Sequence, residues 1–119
     1  MKRFFFLLVF LVPSCAFAQC KDSVSTKDMQ DCLDAEWKKS DTELNHAYQD
    51  AMKKLKPDAV DVLKRAQRAW VTYRDAQCEA EYKVWQGGTA AGVAMTQCKV
   101  TLTERRTKEI QETYNPTAQ

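Results

Sequence analysis

The sequence has little of what β-rich folds and histidine-based sites require. Only three glycines and three prolines occur in 119 residues, too few for the many tight turns of a β-sandwich or barrel. There is one histidine and no Cys-x-x-Cys motif, so the usual spacings of zinc ligands are absent. The hydrophobic fraction of 45% and charged fraction of 29% indicate a folded chain, long enough for one small domain.

The first eighteen residues have the pattern of a secretory signal peptide. Lys2 and Arg3 precede an apolar run over 4–12, and Ala16-Phe17-Ala18 provides small residues around a cleavage site. The run has nine residues, whereas a membrane-spanning helix needs about twenty. We therefore predict cleavage after Ala18 and a periplasmic or secreted protein that begins at Gln19.

An alternative reading of the leader concerns Cys15. The preceding residues Val12-Pro13-Ser14 resemble a loose lipobox, in which Cys15 is lipidated and becomes the first residue. Proline fits that pattern poorly, so we favour the Ala18 site and a soluble product. Membrane contact is expected only if Cys15 is lipidated.

Removing the leader changes both the charge and the cysteine count. Lys2 and Arg3 carry two of the 18 basic charges, so the remaining chain has 16 bases against 16 acids and is neutral. Cys15 also leaves with the leader. An even number of cysteines in a small exported domain predicts two disulfides, and the four that remain are Cys20, Cys32, Cys78 and Cys98.

The spacing of apolar residues predicts an all-α fold, an antiparallel three-helix bundle with two disulfides. Ser25 and Asp28 have the spacing of a capping box at the first helix start, Pro57 ends that helix, and Gly87-Gly88 ends the second. The second helix carries two apolar stripes, so we expect it at the centre. Trp85 near the Gly-Gly turn can be an exposed anchor or the lid of the core, and we favour the lid. The third has a thin stripe that another subunit can complete, which leaves the oligomeric state open. The predicted helices are 26–56, 59–86 and 90–113.

The turn positions predict which residues lie side by side. Cys78 and Cys98 each lie ten residues from Gly88, or about 15 Å along their helices, so we predict a Cys78–Cys98 disulfide and hence a Cys20–Cys32 disulfide. Folding the first two helices about Pro57 places Asp41 and Asn45 opposite Tyr73 and Arg74, where an ion pair or hydrogen bonds can form. On the same model Trp70 of the second helix lies at the same height as Arg106 of the third helix, and the Arg106 guanidinium can stack on the indole.

Four groups of residues form a pattern when they are taken together. They are Cys20…Met29-x-x-Cys32, Asp41-x-x-Leu44-Asn45-x-x-Tyr48, Ala66-Gln67-Arg68-Ala69-Trp70-x-x-Tyr73-Arg74-Asp75-x-x-Cys78 and Cys98…Leu102-Thr103-x-x-Arg106. This pattern resembles a known bacterial family, the LprI-type lysozyme-inhibitor N-terminal domain. The resemblance covers nearly all of the chain after the leader, and the central string from Ala66 to Cys78 is its most specific part.

This resemblance implies an exported, disulfide-bonded helical domain over 19–114, followed by a flexible tail at 115–119. Lysozyme is the implied partner. The family's naming member is a lipoprotein, whereas only a weak lipobox precedes Cys15 here. We expect the polar motif residues to fix the register of the helices rather than to form a catalytic site. The motif residues, structural or binding, are Asp41, Leu44, Asn45, Tyr48, Gln67, Arg68, Trp70, Tyr73, Arg74, Asp75 and Arg106.

No catalytic constellation is evident. His46 has Glu43 and Asp50 three and four residues away on one helical face, which is typical of a solvated surface cluster rather than a metal site. With its cysteines paired the chain has no thiol nucleophile, and it has neither a Gly-x-Ser-x-Gly motif nor a phosphate-binding loop. We expect a non-enzyme that uses no cofactor and no metal.

The charges are unevenly distributed between the two ends of the predicted bundle. The Gly-Gly end, formed by residues 19–41 and 74–98, has nine acids and six bases. The Pro57 end, formed by the remainder, has ten bases and seven acids. Such a dipole can orient an encounter with a charged partner.

Three functions are compatible with these features. In the first, an inhibitor directs its acidic Gly-Gly end toward a cationic lysozyme and presents the turn Gly87, Gly88 and Thr89 to the cleft. In the second, a periplasmic adaptor uses its basic end on an anionic surface or another envelope protein. Nucleic acid is not an expected partner, given the export signal and neutral charge. In the third, the domain is structural and has no soluble target.

Overall fold

The computed structural model describes residues 20–114, which form three long helices: α1 (Thr26–Lys54), α2 (Pro57–Val84) and α3 (Ala90–Tyr114). This range contains no strand, so the predicted all-α bundle is confirmed. Among the described helices, none combines the length and hydropathy needed to cross a membrane. The predicted leader 1–18, with Cys15, and the predicted tail 115–119 lie outside the described residues.

Local interactions at the helix ends explain the small differences from the predicted bounds. At the start of α1 the Ser25 hydroxyl accepts a hydrogen bond from the Asp28 amide at 3.1 Å, as the capping pattern predicts. Helix α2 begins at Pro57 itself rather than at residue 59, because the first turn of a helix has no use for the amide hydrogen that proline lacks. It ends at Val84, and Gly87 then reverses the chain with a φ of +103°, a conformation open to glycine because it has no Cβ.

Helix α3 is the centre of the bundle, so the prediction of a central α2 is wrong. Helix α3 packs along both α1 and α2, while the backbones of α1 and α2 scarcely approach each other. Its stripe is thin in apolar residues because threonines complete it, Thr103 and Thr107 both being buried. The Thr107 hydroxyl donates to the Thr103 carbonyl at 3.0 Å, which satisfies its polar group inside the helix. The Thr103 hydroxyl has no hydrogen-bond partner within residues 20–114.

The two ends of the bundle are stabilised in different ways. An apolar cluster fills the Pro57 end, where all three helices contribute side chains. Its buried members are Leu44, Ala47, Ala51, Leu63 and Ile110, with Tyr48, Met52, Leu55, Trp70 and Tyr114 packed around them. Two disulfides cross-link the Gly-Gly end, as predicted. Cys20–Cys32 ties the N-terminal segment to α1, and Cys78–Cys98 ties α2 to α3, with Cα–Cα distances of 5.8 and 5.5 Å.

Removing the α2–α3 disulfide should cost much of the stability of this domain. The bond joins residues 20 apart, a loop for which the chain-entropy relation gives about 3 kcal/mol. We expect the double variant Cys78→Ala, Cys98→Ala to unfold at lower urea concentration than the parent, with a free energy of unfolding reduced by about that amount. Coincident urea curves for the two proteins would contradict this expectation.

Candidate functional site

Two arginine side chains approach the indole of Trp70 on α2, near the middle of the bundle. The guanidinium carbon of Arg74 is 5.2 Å from the centre of the Trp70 ring, and that of Arg106 on α3 is 6.0 Å away. The predicted Arg106–Trp70 contact is therefore present. Arg74 also lies 4.6 Å from the ring of Trp37 on α1. Contacts between guanidinium groups and indoles thus join all three helices, each worth about 0.5–2 kcal/mol.

Both arginine side chains are about nine-tenths buried, and each has acceptors for its charge. Arg74 pairs with Asp75 at 2.9 Å and lies 4.0 Å from Asp41 across the helix pair, which is the predicted link between α1 and α2. Arg106 donates to the Gln67 side-chain oxygen at 3.1 Å and pairs with Glu109 at 2.9 Å. A buried charge is tolerated only when it is paired in this way, so these contacts fix the register of the helices.

A groove of about 600 Å³ lies between α1 and α2, and we call it the α1–α2 groove. It exists because both helices pack on α3 while their own backbones stay apart. On each helix the lining residues recur at three- and four-residue steps, the spacing of a single helical face. The lining residues are Asp41, Leu44, Asn45, Tyr48, Lys64, Gln67, Arg68, Val71, Thr72 and Arg74.

Seven of the eleven motif residues line this groove. Trp70, Asp75 and Arg106 belong to the buried network beside it. Tyr73 lies apart from both, with 55% of its surface exposed. The sequence spacing predicted contacts between α1 and α2 at this level, and it missed the open space because it placed the two helices in direct contact.

The Gly-Gly end presents exposed apolar side chains. Trp85 is 56% exposed and Val84 80% exposed, so the prediction of Trp85 as a lid on the core is wrong. Helix α2 ends before this residue, and the turn at 85–89 carries the chain away without covering the indole. Gly87, Gly88 and Thr89 are all exposed. A smaller cavity of about 260 Å³ lies nearby, lined by Ser23, Ser25, Thr26, Met29, Ala90 and Val93.

The remaining titratable groups described by the structure lie mostly on the helix surfaces. His46, Glu43 and Asp50 are exposed on α1. In the part of the chain that the structure describes, no three His, Cys, Asp or Glu side chains are grouped as metal ligands. Glu104 of α3 is only partly buried, and its pKa is raised first by burial and then by the nearby carboxylates of Glu36 and Glu43 on α1. The Lys39 side chain on α1 acts in the opposite direction and lowers this pKa.

The raised pKa of Glu104 predicts how stability depends on pH. Its ionised form is less favourable in the folded protein than in the unfolded chain, so stability is lost as the pH rises through the raised pKa. We expect Glu104→Gln to melt at a higher temperature than the parent near neutral pH. The two melting temperatures should converge well below the ordinary glutamate pKa of 4.5. The control Glu79→Gln removes an exposed carboxyl from α2 and should show no such pH-dependent gain; a parallel gain in both variants would contradict the expectation.

Two tryptophan variants test which aromatic side chain supports the fold. Trp70→Ala removes the indole that Arg74 and Arg106 contact. We expect the free energy of unfolding to fall by about 3–5 kcal/mol. Trp85→Ala removes an exposed ring, with an expected change of about 0.5 kcal/mol. Urea denaturation followed by circular dichroism measures both. A fully stable Trp70→Ala protein that lacks one binding activity would instead assign Trp70 a binding role.

Comparison with known proteins places this architecture in a family. The uncharacterized protein R02472 of Rhizobium meliloti is 32% identical over 106 residues, covering 78% of this chain and 76% of that protein. The uncharacterized protein YecT of Escherichia coli is 30% identical over 79 residues, covering 57% of this chain and about half (49%) of YecT. No solved structure matches the chain. The family described as Lysozyme inhibitor LprI matches residues 18–110, a span that contains both disulfides, the paired arginines and the α1–α2 groove. The chain belongs to this LprI family.

Proposed function

We propose that this protein is an exported, non-enzymatic binding protein that inhibits a cationic glycoside hydrolase of the lysozyme type. Membership of the LprI family supports the role. The observation that carries the proposal is the exposed Trp85 at the acidic Gly-Gly end. An indole exposed beside an acidic surface is suited to docking into a basic, concave partner, and binding hot spots are enriched in tryptophan.

The chemistry of the Gly-Gly end favours a cationic partner. It carries nine acids against six bases, and Asp22, Asp28 and Glu79 are among those exposed. An acidic surface accelerates association with a basic protein and orients the encounter. Val84 and Trp85 then provide apolar area to be buried in the complex, and the Gly87–Thr89 turn provides a narrow, exposed backbone that can enter a cleft.

The disulfides favour tight binding by this end because they order it before the partner arrives. Cys78–Cys98 joins α2 to α3 seven residues before Trp85, and Cys20–Cys32 fixes the segment that precedes α1. A surface already held in one conformation loses less conformational entropy on binding than a mobile one. The turn between the two helices is therefore a better inhibitory element than an unrestrained loop of the same length.

The same cross-links favour an extracytoplasmic location. Disulfides persist in oxidising compartments and are rare in the cytosol. Together with the predicted signal peptide, they support a periplasmic or secreted location for the proposed working form, residues 19–119 with a helical domain over 19–114. Lysozymes act on the cell wall, so inhibitor and target would meet there.

A lysozyme turnover assay with purified residues 19–119 tests the proposal. We expect inhibition, and we expect Trp85→Ala to weaken it by at least about tenfold, as the loss of a hot-spot side chain does. The matched control is Tyr73→Ala, since Tyr73 is 55% exposed against 56% for Trp85 but lies about 18 Å away along α2. This control should inhibit as well as the parent.

Two results would overturn the proposal. One is the absence of inhibition at micromolar excess against several classes of lysozyme. The other is equal loss of inhibition in the two variants, which would remove the Gly-Gly end as the contact surface. Circular dichroism of both variants establishes that each is folded before it is assayed.

A second function has support from the opposite end of the bundle. The Pro57 end has ten bases against seven acids, which favours an envelope adaptor that binds an anionic surface. Salt-sensitive retention on anionic lipid vesicles is the expected result for that function, and failure to bind at low salt would contradict it. The exposed basic residues at this end include Lys53, Lys54, Lys56, Lys64, Arg65 and Arg68.

A further inference from the structure

The α1–α2 groove has the dimensions of a ligand site. Its volume of about 600 Å³ lies within the range of roughly 300–1,000 Å³ that is typical of small-molecule pockets. Its lining runs from residue 41 to 48 on α1 and from 64 to 74 on α2, or about 10 and 15 Å at the rise of an α-helix. That length accommodates three or four residues of an extended peptide.

The charges on the groove favour an anionic ligand. Three cationic side chains line it against one carboxylate, that of Asp41. Arg74 is already paired with Asp75. Between Cys20 and Tyr114, no carboxylate lies within ion-pair distance of Lys64 or Arg68. These two side chains are one helical turn apart on α2, so both can reach a single carboxylate.

The neutral lining residues suit a peptide. The Gln67 oxygen accepts the hydrogen bond from Arg106, which fixes the side chain and leaves its amide hydrogens to donate elsewhere. Asn45 on the facing wall supplies both a donor and an acceptor. Buried Leu44 and half-buried Val71 and Tyr48 add apolar surface between these polar groups. Amides beside apolar patches match a peptide backbone with one apolar side chain.

We propose that the α1–α2 groove binds a short acidic peptide, with a carboxylate held by Lys64 and Arg68 and the peptide backbone by Asn45 and Gln67. This site lies between the helices and is separate from the turn at the Gly-Gly end, so the proposal does not rest on lysozyme inhibition. Its ligand is a free acidic peptide, which presents both a carboxylate and backbone amides.

Isothermal titration of the whole exported chain with acetyl-Glu-Val-Glu-amide tests the proposal directly. We expect saturable binding, and we expect the neutral peptide acetyl-Gln-Val-Gln-amide to bind at least about tenfold more weakly, the loss typical of a charge-assisted hydrogen bond. Inorganic phosphate serves as the third probe. It should not displace the acidic peptide at equal concentration, because it offers no backbone or apolar contact.

A pair of arginine variants on the same helix locates the site. Arg68 lines the groove, whereas Arg65 is exposed on α2 and does not. The two changes remove the same charge, so general electrostatic attraction is lost equally from both proteins. We expect Arg68→Gln to weaken peptide binding at least about tenfold, and Arg65→Gln to change it by less than about twofold.

Four outcomes would overturn the proposal. Three of them are no heat of binding at millimolar peptide, equal binding of the acidic and neutral peptides, and equal weakening by the two arginine variants. The fourth is displacement of the peptide by phosphate at equal concentration, which would reassign the groove as a general anion site. The titration uses no lysozyme, so its result is independent of the inhibition assay. Arg68 and Arg65 are both exposed, and neither change is expected to unfold the protein.

Discussion

The contact of two buried arginines with Trp70 is the interaction on which the rest of the structure depends. Arg74 of α2 and Arg106 of α3 both approach its indole, and Arg74 extends the contact to Trp37 on α1. Neither arginine can be buried without its carboxylate or amide acceptor. In the observed arrangement of the three helices, both arginines reach their acceptors as well as the indoles.

The α1–α2 groove follows from the same arrangement. Most of the buried residues of α3 are small, with Arg106 and Ile110 as the larger exceptions, and the helix packs against a neighbour on each side while the backbones of those two neighbours stay apart. Arg74 then extends from α2 toward α1, and its side chain is covered although the two backbones remain separated. A bundle with three mutually packed helices would have closed this space with apolar contacts. Here the space retains polar groups that face one another.

The sequence was a good guide to features governed by the helical repeat. The helices and both disulfides follow from the turn positions and a constant rise per residue. The same arithmetic puts Trp70 and Arg106 at the same height along the bundle. The central helix was missed because threonines such as Thr103 and Thr107 count as polar in a pattern although both are buried here. In a helix a threonine hydroxyl can bond to the backbone of the preceding turn, as that of Thr107 does. The exposure of Trp85 depends on where α2 stops, and a shift of two residues at a helix end lies beyond what spacing can determine. The groove depends on which helices pack against each other. The hydrophobic pattern shows that a helix has an apolar face, but it does not specify which other helix covers that face.

The division of the bundle into an apolar Pro57 end and a cross-linked Gly-Gly end has a consequence for where the molecule can act. A reducing environment would break the disulfides and loosen the Gly-Gly end, while the cluster around Leu44 and Ile110 stays packed. The exposed acidic surface would then lose its order before the fold as a whole is lost. The recognition proposed for that surface would therefore depend on oxidising surroundings, whereas the apolar packing at the Pro57 end would not.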